Sequence, residues 1–183
     1  MNYRILLALI AFSLALFQDA ATTLANPTNF TVQAITQKKK FQLTDAKGSY
    51  VTLHFLLKTE CPFCIRHTQE YLQKAASVPG VVHIFLKPDS EDEIKAWAGK
   101  LPAEELTKFP IYRDPDAKLA EAYGIPGGYR FHGQDVHYPA LVLLDPKGKE
   151  VFRYVGKSNA DRYSFAKFNA KLAELGPSNS ADR

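Results

Sequence analysis

The chain has 183 residues, of which 46% are hydrophobic and 12% aromatic. This is enough for one well-packed domain but few for two, so we expect a single domain. The formal net charge of +4 arises from basic residues interspersed with acidic ones. The densest basic run, Lys38 to Lys40, indicates a solvated turn, and the pattern argues against a nucleic-acid-binding protein.

The first 25 residues have the layout of a secretory signal peptide. Arg4 precedes an apolar run from Ile5 to Phe17, and small residues end the segment at Ala25. Because a membrane span needs about 20 apolar residues, this run is short for one. We therefore predict that residues 1–25 are cleaved and that the mature protein is periplasmic or secreted, where disulfides persist. An uncleaved segment that anchors the protein to the membrane is the alternative.

Strand and helix patterns alternate over residues 26–176, the predicted domain. Apolar alternation and turn residues predict strands at 30–35, 40–43, 50–57, 81–87, 109–112, 139–144 and 150–155. Helical spacing and caps predict helices from Cys61 to about Pro79, over 90–100, over 116–123, and from Ser158 or Asn159 to about 175. This order indicates an α/β domain, a three-layer α/β/α sandwich with a central mixed sheet and a C-terminal β-hairpin plus helix. Residues 177–183 form a predicted flexible polar tail.

The only two cysteines lie in the stretch KTECPFCIRH, between the strongest predicted strand and the helix that follows it. Pro62 falls at the first helical position, where its missing N–H costs nothing. A helix N-terminus favours a thiolate at Cys61, and Cys64 lies one turn away, close enough to form a disulfide with it. We therefore predict that Cys61 is the nucleophile and Cys64 the resolving thiol of a redox-active disulfide, with no other cofactor.

A purely structural disulfide is the alternative interpretation of this pair. On the loop-entropy model a four-residue loop stabilises by only about 2 kcal/mol, against nearly 5 kcal/mol for a loop of about 100 residues. The spacing and the position at a helix start favour exchange chemistry instead.

The strand LHFLLK followed by CPFC, the later segment YPALVLLDPKG and a terminal helix resemble the thioredoxin-like superfamily. The opening FQLTDAKGSYV is similar to its redoxin branch, which contains the TlpA-like thiol-disulfide oxidoreductases and the AhpC/TSA-like proteins. The resemblance covers roughly residues 28–175. It implies an enzyme whose partners are protein thiols or disulfides and an upstream electron donor or acceptor. We expect a monomer that meets the membrane only through its export signal.

The resemblance also implies substrate-binding residues around the dithiol. Members of the superfamily place a cis-proline beside the redox motif, and Pro139 matches it, so the Tyr138–Pro139 bond is predicted to be cis. The position that pairs with the substrate backbone in the family falls on Tyr138. Together with Pro62 and Phe63, which lie between the cysteines, these are the expected substrate contacts.

A peroxiredoxin-like thiol peroxidase is the first alternative function. Peroxiredoxins carry a Thr or Ser three residues before the peroxidatic cysteine and an Arg just before the hairpin strand. In this chain those positions hold Lys58, counted from Cys61, and Pro139. The residues therefore favour disulfide exchange.

A copper- or metal-binding chaperone with the same fold is the second alternative. Cys61, Cys64 and His67 are spaced three apart, and His132 and His137 lie in the loop before Pro139. The Sco-type copper chaperones resemble C-x-x-x-C instead, and three-residue steps rotate His67 away from Cys61. We therefore predict no metal site, a solvated His67 on the helix surface, and polar loop histidines at the other two positions.

His54 and Glu60 are candidate proton-relay residues. His54 lies on the strand that leads to the cysteines, where thioredoxins often place a buried Asp, and imidazole titrates near neutral pH. A core histidine held by a hydrogen bond is the other interpretation. Glu60 disfavours a thiolate at Cys61, whereas Lys58 and Arg66 favour it, and the sequence leaves open which effect prevails.

Overall fold

A computed structural model describes residues 27, 29–58, 62–131 and 133–176 of the chain. The predicted signal peptide, the predicted C-terminal tail, and Glu60, Cys61 and His132 lie outside the described residues.

Nine strands occur in the described residues, most of them where apolar alternation predicts them. They are Thr31–Ala34 (β1), Lys40–Gln42 (β2), Tyr50–Phe55 (β3), Val81–Lys87 (β4), Ile111–Arg113 (β5), Tyr129–Phe131 (β6), Gln134–Val136 (β7), Ala140–Leu144 (β8) and Glu150–Val155 (β9). The same part of the chain forms five α-helices: Pro62–Lys74 (α1), Glu91–Ala98 (α2), Ala103–Lys108 (α3), Lys118–Ala122 (α4) and Phe165–Leu175 (α5).

Seven of these strands form one mixed sheet in the order β2-β1-β5-β4-β3-β8-β9. The central strands β3, β4 and β5 are parallel, and the remaining pairs are antiparallel, including the β8–β9 hairpin. The turn of that hairpin is held by Asp145, whose carboxylate accepts hydrogen bonds from the backbone N–H groups of Lys147 and Lys149. β6 and β7 pair separately as a small two-stranded sheet.

The sheet has a hydrophobic core on each face, which confirms the predicted three-layer sandwich. One core packs side chains of α1, α2 and α5 against the sheet, among them Tyr71, Trp97 and Phe168. The other contains Leu119 and Tyr123, at α4, and Leu43, from a single 3-10 turn. Within the described residues, no helix combines the length and the apolar character needed to cross a membrane.

Local sequence signals account for several helix ends, but not for all of them. The predicted capping box at the start of α2 is confirmed, since Ser90 and Glu93 bond to each other's backbone N–H. The predicted start of the last helix near Ser158 is wrong, because α5 begins at Phe165 with Ser164 as its cap. The intervening residues form a turn instead, in which the Asp161 N–H bonds the Ser158 carbonyl at 3.1 Å.

Three short elements were not predicted. α3 has six residues, and β6 and β7 have three each on either side of the turn at Gly133. Segments this short contain too few periodic positions to be distinguished from loops in the sequence.

Candidate active site

The described residues of the cysteine motif, 62–64, lie in the first turn of α1. Pro62 is the first residue of the helix, as predicted, and Cys64 lies in the first turn with its side chain fully buried. Pro62 itself is exposed and Phe63 is half-buried, with the Arg66 guanidinium 4.9 Å from the centre of its ring. The described part of the motif therefore combines a buried sulfur with an accessible edge.

Arg162 contacts this buried sulfur although it lies 98 residues further along the chain. Its Nη2 donates to Cys64 Sγ at 3.1 Å. Arg162 belongs to the loop between β9 and α5, and sequence analysis did not identify it. A guanidinium carries its positive charge at every physiological pH, so the contact places a permanent cation on the sulfur of the predicted resolving cysteine.

Gly156 allows the Arg162 loop to approach Pro139. The Gly156 N–H donates to the Pro139 carbonyl at 2.8 Å. A Cβ atom at position 156 would lie 2.1 Å from the Asp161 carbonyl oxygen and 3.1 Å from Pro139 Cγ. Only glycine fits this approach without a shift of the backbone, and the approach brings Pro139 and Arg162 to the same end of the sheet.

The Tyr138–Pro139 peptide bond is trans, so the predicted cis isomer is wrong: the described residues contain no cis peptide bond. The trans isomer of an X–Pro bond is favoured by about 0.5–1 kcal/mol, and here it is compatible with hydrogen bonds on both sides. The Tyr138 N–H donates to Pro126 O at 2.8 Å, and Pro139 O accepts from Gly156. Pro139 lines a cavity of about 10 Å³ together with His67 of α1 and with Arg162, the residue that contacts Cys64 Sγ.

Both backbone groups of Tyr138 already have partners inside the protein. Besides the N–H bond to Pro126, the Tyr138 carbonyl accepts from His137 Nδ1 at 2.7 Å. A substrate strand could use the second lone pair of this carbonyl, but it would have to displace Pro126 from the N–H. The Tyr138 ring is half-buried and lies 5.1 Å from the ring of Tyr129.

Three buried histidines, His67 on α1, His54 on β3 and His83 on β4, form a hydrogen-bonded chain between the helix and the sheet. His54 Nδ1 lies 3.2 Å from His67 Nε2, and His54 Nε2 lies 3.1 Å from His83 Nδ1. Because a neutral imidazole has one N–H, the donors must all point the same way along this chain. The interpretation of His54 as a core histidine held by hydrogen bonds is confirmed.

Burial keeps all three histidines neutral. It lowers the pKa of His54 well below its usual value near 6.5, helped by His67 and His83. The pKa of His67 falls to about 3 through burial and the positive charge of Arg162, and that of His83 falls to about 4 through burial. A proton relay through His54 stays a prediction, and it would have to operate without a lasting positive charge on the chain.

The prediction of a solvated His67 is wrong, and His137, which lies in a loop as predicted, is buried as well. Only 8% of His67 and 7% of His137 is exposed. His67 lies on the same helical stripe as the buried residues Cys64 and Tyr71, and this stripe faces the sheet. Burial also lowers the pKa of His137. Within the described residues, no group of three or more His, Cys, Asp or Glu side chains is arranged to hold a metal ion.

Lys87 is a second charged residue that sequence analysis did not connect with the site. It is fully buried at the end of β4, with its Nζ 3.1 Å from Asp89 Oδ2 and 4.6 Å from the centre of the Trp97 ring. The same Nζ donates to the Leu57 carbonyl at 2.7 Å. Lys87 thus fixes the backbone just after β3, shortly before the cysteine motif.

Known structures share this fold at low sequence identity. The exposed lipoprotein thioredoxin of Streptococcus pneumoniae is 23% identical, with a TM-score of 0.63 over 80% of this chain and 99% of that one. A secreted disulfide oxidoreductase of Mycobacterium tuberculosis, homologous to E. coli DsbE, is 18% identical, with a TM-score of 0.58 over 80% and 96%. A peroxiredoxin-like protein of Aquifex aeolicus is 16% identical, with a TM-score of 0.66 over 81% and 84%.

Sequence comparison agrees with the fold. No curated protein sequence matches the chain significantly. The AhpC/TSA family profile matches residues 25–151, more than half of the chain. The resemblance to the redoxin branch is thereby confirmed, and the chain belongs to the AhpC/TSA family as a thioredoxin-like oxidoreductase.

Proposed function

We propose that this protein is an exported thiol-disulfide oxidoreductase that exchanges disulfides with protein partners through Cys61 and Cys64. The observation that carries the proposal is the burial of Cys64 at the start of α1, with the Arg162 guanidinium on its sulfur. A cation beside a cysteine favours the thiolate, which is the reactive form in exchange. A purely structural disulfide has no need of such a charge.

In the reductive direction, the Cys61 thiolate attacks one sulfur of a partner disulfide. The partner's second sulfur leaves as a thiolate, and a mixed disulfide links Cys61 to the partner. The Cys64 thiolate then attacks Cys61 Sγ and releases the reduced partner, leaving a Cys61–Cys64 disulfide. An upstream dithiol donor must supply two electrons to restore the pair, and the oxidative direction runs the same steps in reverse.

Partner contacts are assigned to the surface around the motif. Pro62 is exposed and Phe63 half-buried beside the cysteines, while Tyr138 offers a half-buried ring. Pro139 is buried, and we assign it a supporting role next to Tyr138 in partner binding. His54 is assigned as a transient proton carrier in the core, and Glu60 as a proton carrier next to Cys61.

The central test uses matched cysteine variants of the full chain. Wild type is expected to accelerate the reduction of insulin disulfides by dithiothreitol, and Cys61→Ser is expected to abolish this acceleration. Cys64→Ser is expected to accumulate a mixed disulfide visible on a non-reducing gel. Exchange that persists in Cys61→Ser would overturn the proposal.

The same variants test the alternative functions. Rapid turnover of hydrogen peroxide that depends on either cysteine would favour a thiol peroxidase, an activity that the family name and the peroxiredoxin-like structure of Aquifex aeolicus make worth assaying. Tight stoichiometric copper uptake would favour a metal chaperone, although His67 is buried and bonded to His54.

Export is tested separately by expression of the full chain in a bacterial host. A periplasmic or secreted product that begins near residue 26, as measured by mass spectrometry, would support cleavage of the predicted signal peptide. A cytoplasmic product of full mass would contradict it.

A further inference from the structure

We propose that Arg162 is a catalytic residue that stabilises the Cys64 thiolate in the reduced protein and thereby makes the cysteine pair an acceptor of electrons from dithiol substrates. This inference rests on the proposed exchange function. It adds Arg162 to the site and assigns the direction of electron transfer, from the substrate to the protein, which the cysteine motif alone does not supply.

The contact between Arg162 and Cys64 suits a thiolate better than a thiol. A guanidinium can only donate hydrogen bonds, and a thiolate accepts them far better than a neutral thiol does. Cys64 is 0% exposed, so a negative charge on its sulfur loses its hydration and depends on protein donors. Arg162 Nη2, at 3.1 Å, is such a donor.

Hydrogen bonds within the loop and to α1 hold Arg162 in place. The Asp161 carboxylate accepts from the Lys157 N–H at 2.8 Å and from the Tyr154 hydroxyl. The Tyr71 hydroxyl donates to the Tyr163 carbonyl at 2.9 Å, which ties the loop to α1. The guanidinium is therefore preorganised against the helix that carries Cys64, as effective electrostatic stabilisation requires.

The titratable groups near Arg162 leave its positive charge available to Cys64. The positive charge of Arg162 lowers the pKa of His67 and that of His137, in addition to the larger effect of burial. Both histidines are therefore neutral. The Asp161 carboxylate accepts hydrogen bonds from the Lys157 N–H and the Tyr154 hydroxyl. Among the described residues, the titratable groups that share the site with Arg162 are His67 on α1, His137 before β8, Tyr154 on β9, and Asp161 and Tyr163 in the same loop.

Arg162 stabilises the Cys64 thiolate at one step of the exchange, the cleavage of the Cys61–Cys64 disulfide. When a substrate thiolate attacks Cys61 Sγ of the oxidised protein, a substrate–Cys61 disulfide forms and the Cys61–Cys64 bond breaks. Cys64 Sγ leaves with the electron pair, and the Arg162 N–H groups stabilise this new thiolate. The second substrate thiolate then attacks the substrate sulfur and releases Cys61, so the substrate dithiol is oxidised, the cysteine pair is reduced, and the two thiol protons pass to solvent.

Arg162 should therefore affect both the rate of disulfide exchange and the redox equilibrium of the cysteine pair. A thiol that ionises more easily leaves faster in exchange, and a pair whose reduced form is stabilised is the stronger oxidant. We expect Arg162→Gln to shift the equilibrium with glutathione at least tenfold towards the disulfide form. A tenfold change corresponds to about 30 mV for this two-electron couple.

The test measures two quantities in the full chain. The first is the glutathione equilibrium of wild type, Arg162→Gln and Arg162→Lys, with Arg130→Gln as a matched control, because Arg130 is an exposed arginine paired with Asp135. The second is the thiolate absorbance of Cys64 near 240 nm against pH, in a Cys61→Ser background with and without Arg162→Gln. This absorbance does not require a reagent to reach the buried sulfur.

Each variant is expected to give a different result. Arg162→Lys, which keeps the charge, retains part of the wild-type equilibrium, and Arg130→Gln leaves it unchanged. In Cys61→Ser, Cys64 becomes half ionised below the usual cysteine value of about 8.5, and Arg162→Gln moves this midpoint upward.

Two results would overturn the inference: an unchanged equilibrium in a folded Arg162→Gln protein, or a Cys64 midpoint at or above the usual value in Cys61→Ser. The second measurement decides the question even when Arg162→Gln does not fold. If wild type fails to exchange disulfides, the proposed function fails, while the ionisation of Cys64 still tests the role of Arg162.

Discussion

The two faces of the β3–β4 pair are both buried, yet their chemistry differs. The face towards α4 is apolar: Val51, Leu53 and Phe55 alternate along β3, and Ile84 and Leu86 along β4. The face towards α1 includes four buried polar or charged side chains, Thr52, His54, His83 and Lys87. Because successive side chains point to opposite faces of a strand, the same two strands line an apolar core on one side and a partly polar core on the other.

The face towards α1 buries polar groups, which costs free energy that the apolar face does not require. Burying polar groups is unfavourable unless they are hydrogen-bonded, and most of these groups are: the histidines bond one another, and Lys87 bonds Asp89 and Leu57. The polar face lies directly under α1, the helix that carries Cys64. The four predictions that follow test this asymmetry, from the largest expected effect to the smallest.

Acid should destabilise the protein through the histidine chain. The pKa values of His54, His67 and His83 are lowered in the fold, so between pH 6.5 and the folded values the unfolded chain binds more protons and stability falls as pH falls. At pH 5 each histidine that remains neutral costs about 2 kcal/mol relative to pH 7.5. Urea unfolding across this range measures the slope.

The His83→Phe variant serves as the internal comparison for the acid effect. It should unfold with a shallower dependence on pH below 6.5, whatever its absolute stability, because one titrating group is gone. A wild-type stability that stays flat from pH 7.5 to 5 would contradict the neutral chain.

Lys87→Met should lower the free energy of unfolding by about 3–5 kcal/mol, because it leaves the Asp89 carboxylate buried without its cation. Lys95→Met is the matched control: Lys95 is exposed and lies 3.8 Å from Glu91, so its loss should cost less than about 1 kcal/mol. Denaturant unfolding compares the two, and equal losses would show that the buried pair has no special role.

Gly156→Ala should destabilise the fold by about 1–3 kcal/mol and slow disulfide exchange, because the new methyl collides with the Asp161 carbonyl and displaces the Arg162 loop. Gly127→Ala is the control, since a Cβ there meets nothing within 4 Å. Thermal unfolding and an insulin reduction assay measure the two effects. An active, fully stable Gly156→Ala protein would show that the loop tolerates the shift.

The sequence predicted elements whose signals are local. The apolar run Val81–Lys87 and the strand Glu150–Val155 have the predicted bounds, and the capping box of α2 needs only residues three apart. The three-layer order followed from the same alternation of strands and helices.

The parts that were missed depend on contacts between distant residues. Arg162 reaches Cys64 across 98 residues from a polar loop, and no periodicity or motif marks it. The burial of His67 was recoverable, because it follows Cys64 by three residues and precedes Tyr71 by four, a helical stripe that turns towards the sheet. The isomer of the Tyr138–Pro139 bond is set by tertiary contacts, so the family resemblance alone predicted it wrongly.

The smallest expected effect compares neighbouring residues on the two faces. Thr52 is fully buried, and within the described residues its Oγ1 has no hydrogen-bond partner, whereas Val51 packs in the apolar core. Thr52→Val keeps the shape and removes a hydroxyl that bonds water only in the unfolded chain, so it should raise the free energy of unfolding by about 1 kcal/mol. Val51→Thr makes the opposite exchange and should lower it by about 1–3 kcal/mol. Urea unfolding of both variants decides the matter: if Thr52→Val destabilises the protein, the hydroxyl has a partner such as a buried water, and the polar face is more completely hydrogen-bonded than its side chains alone indicate.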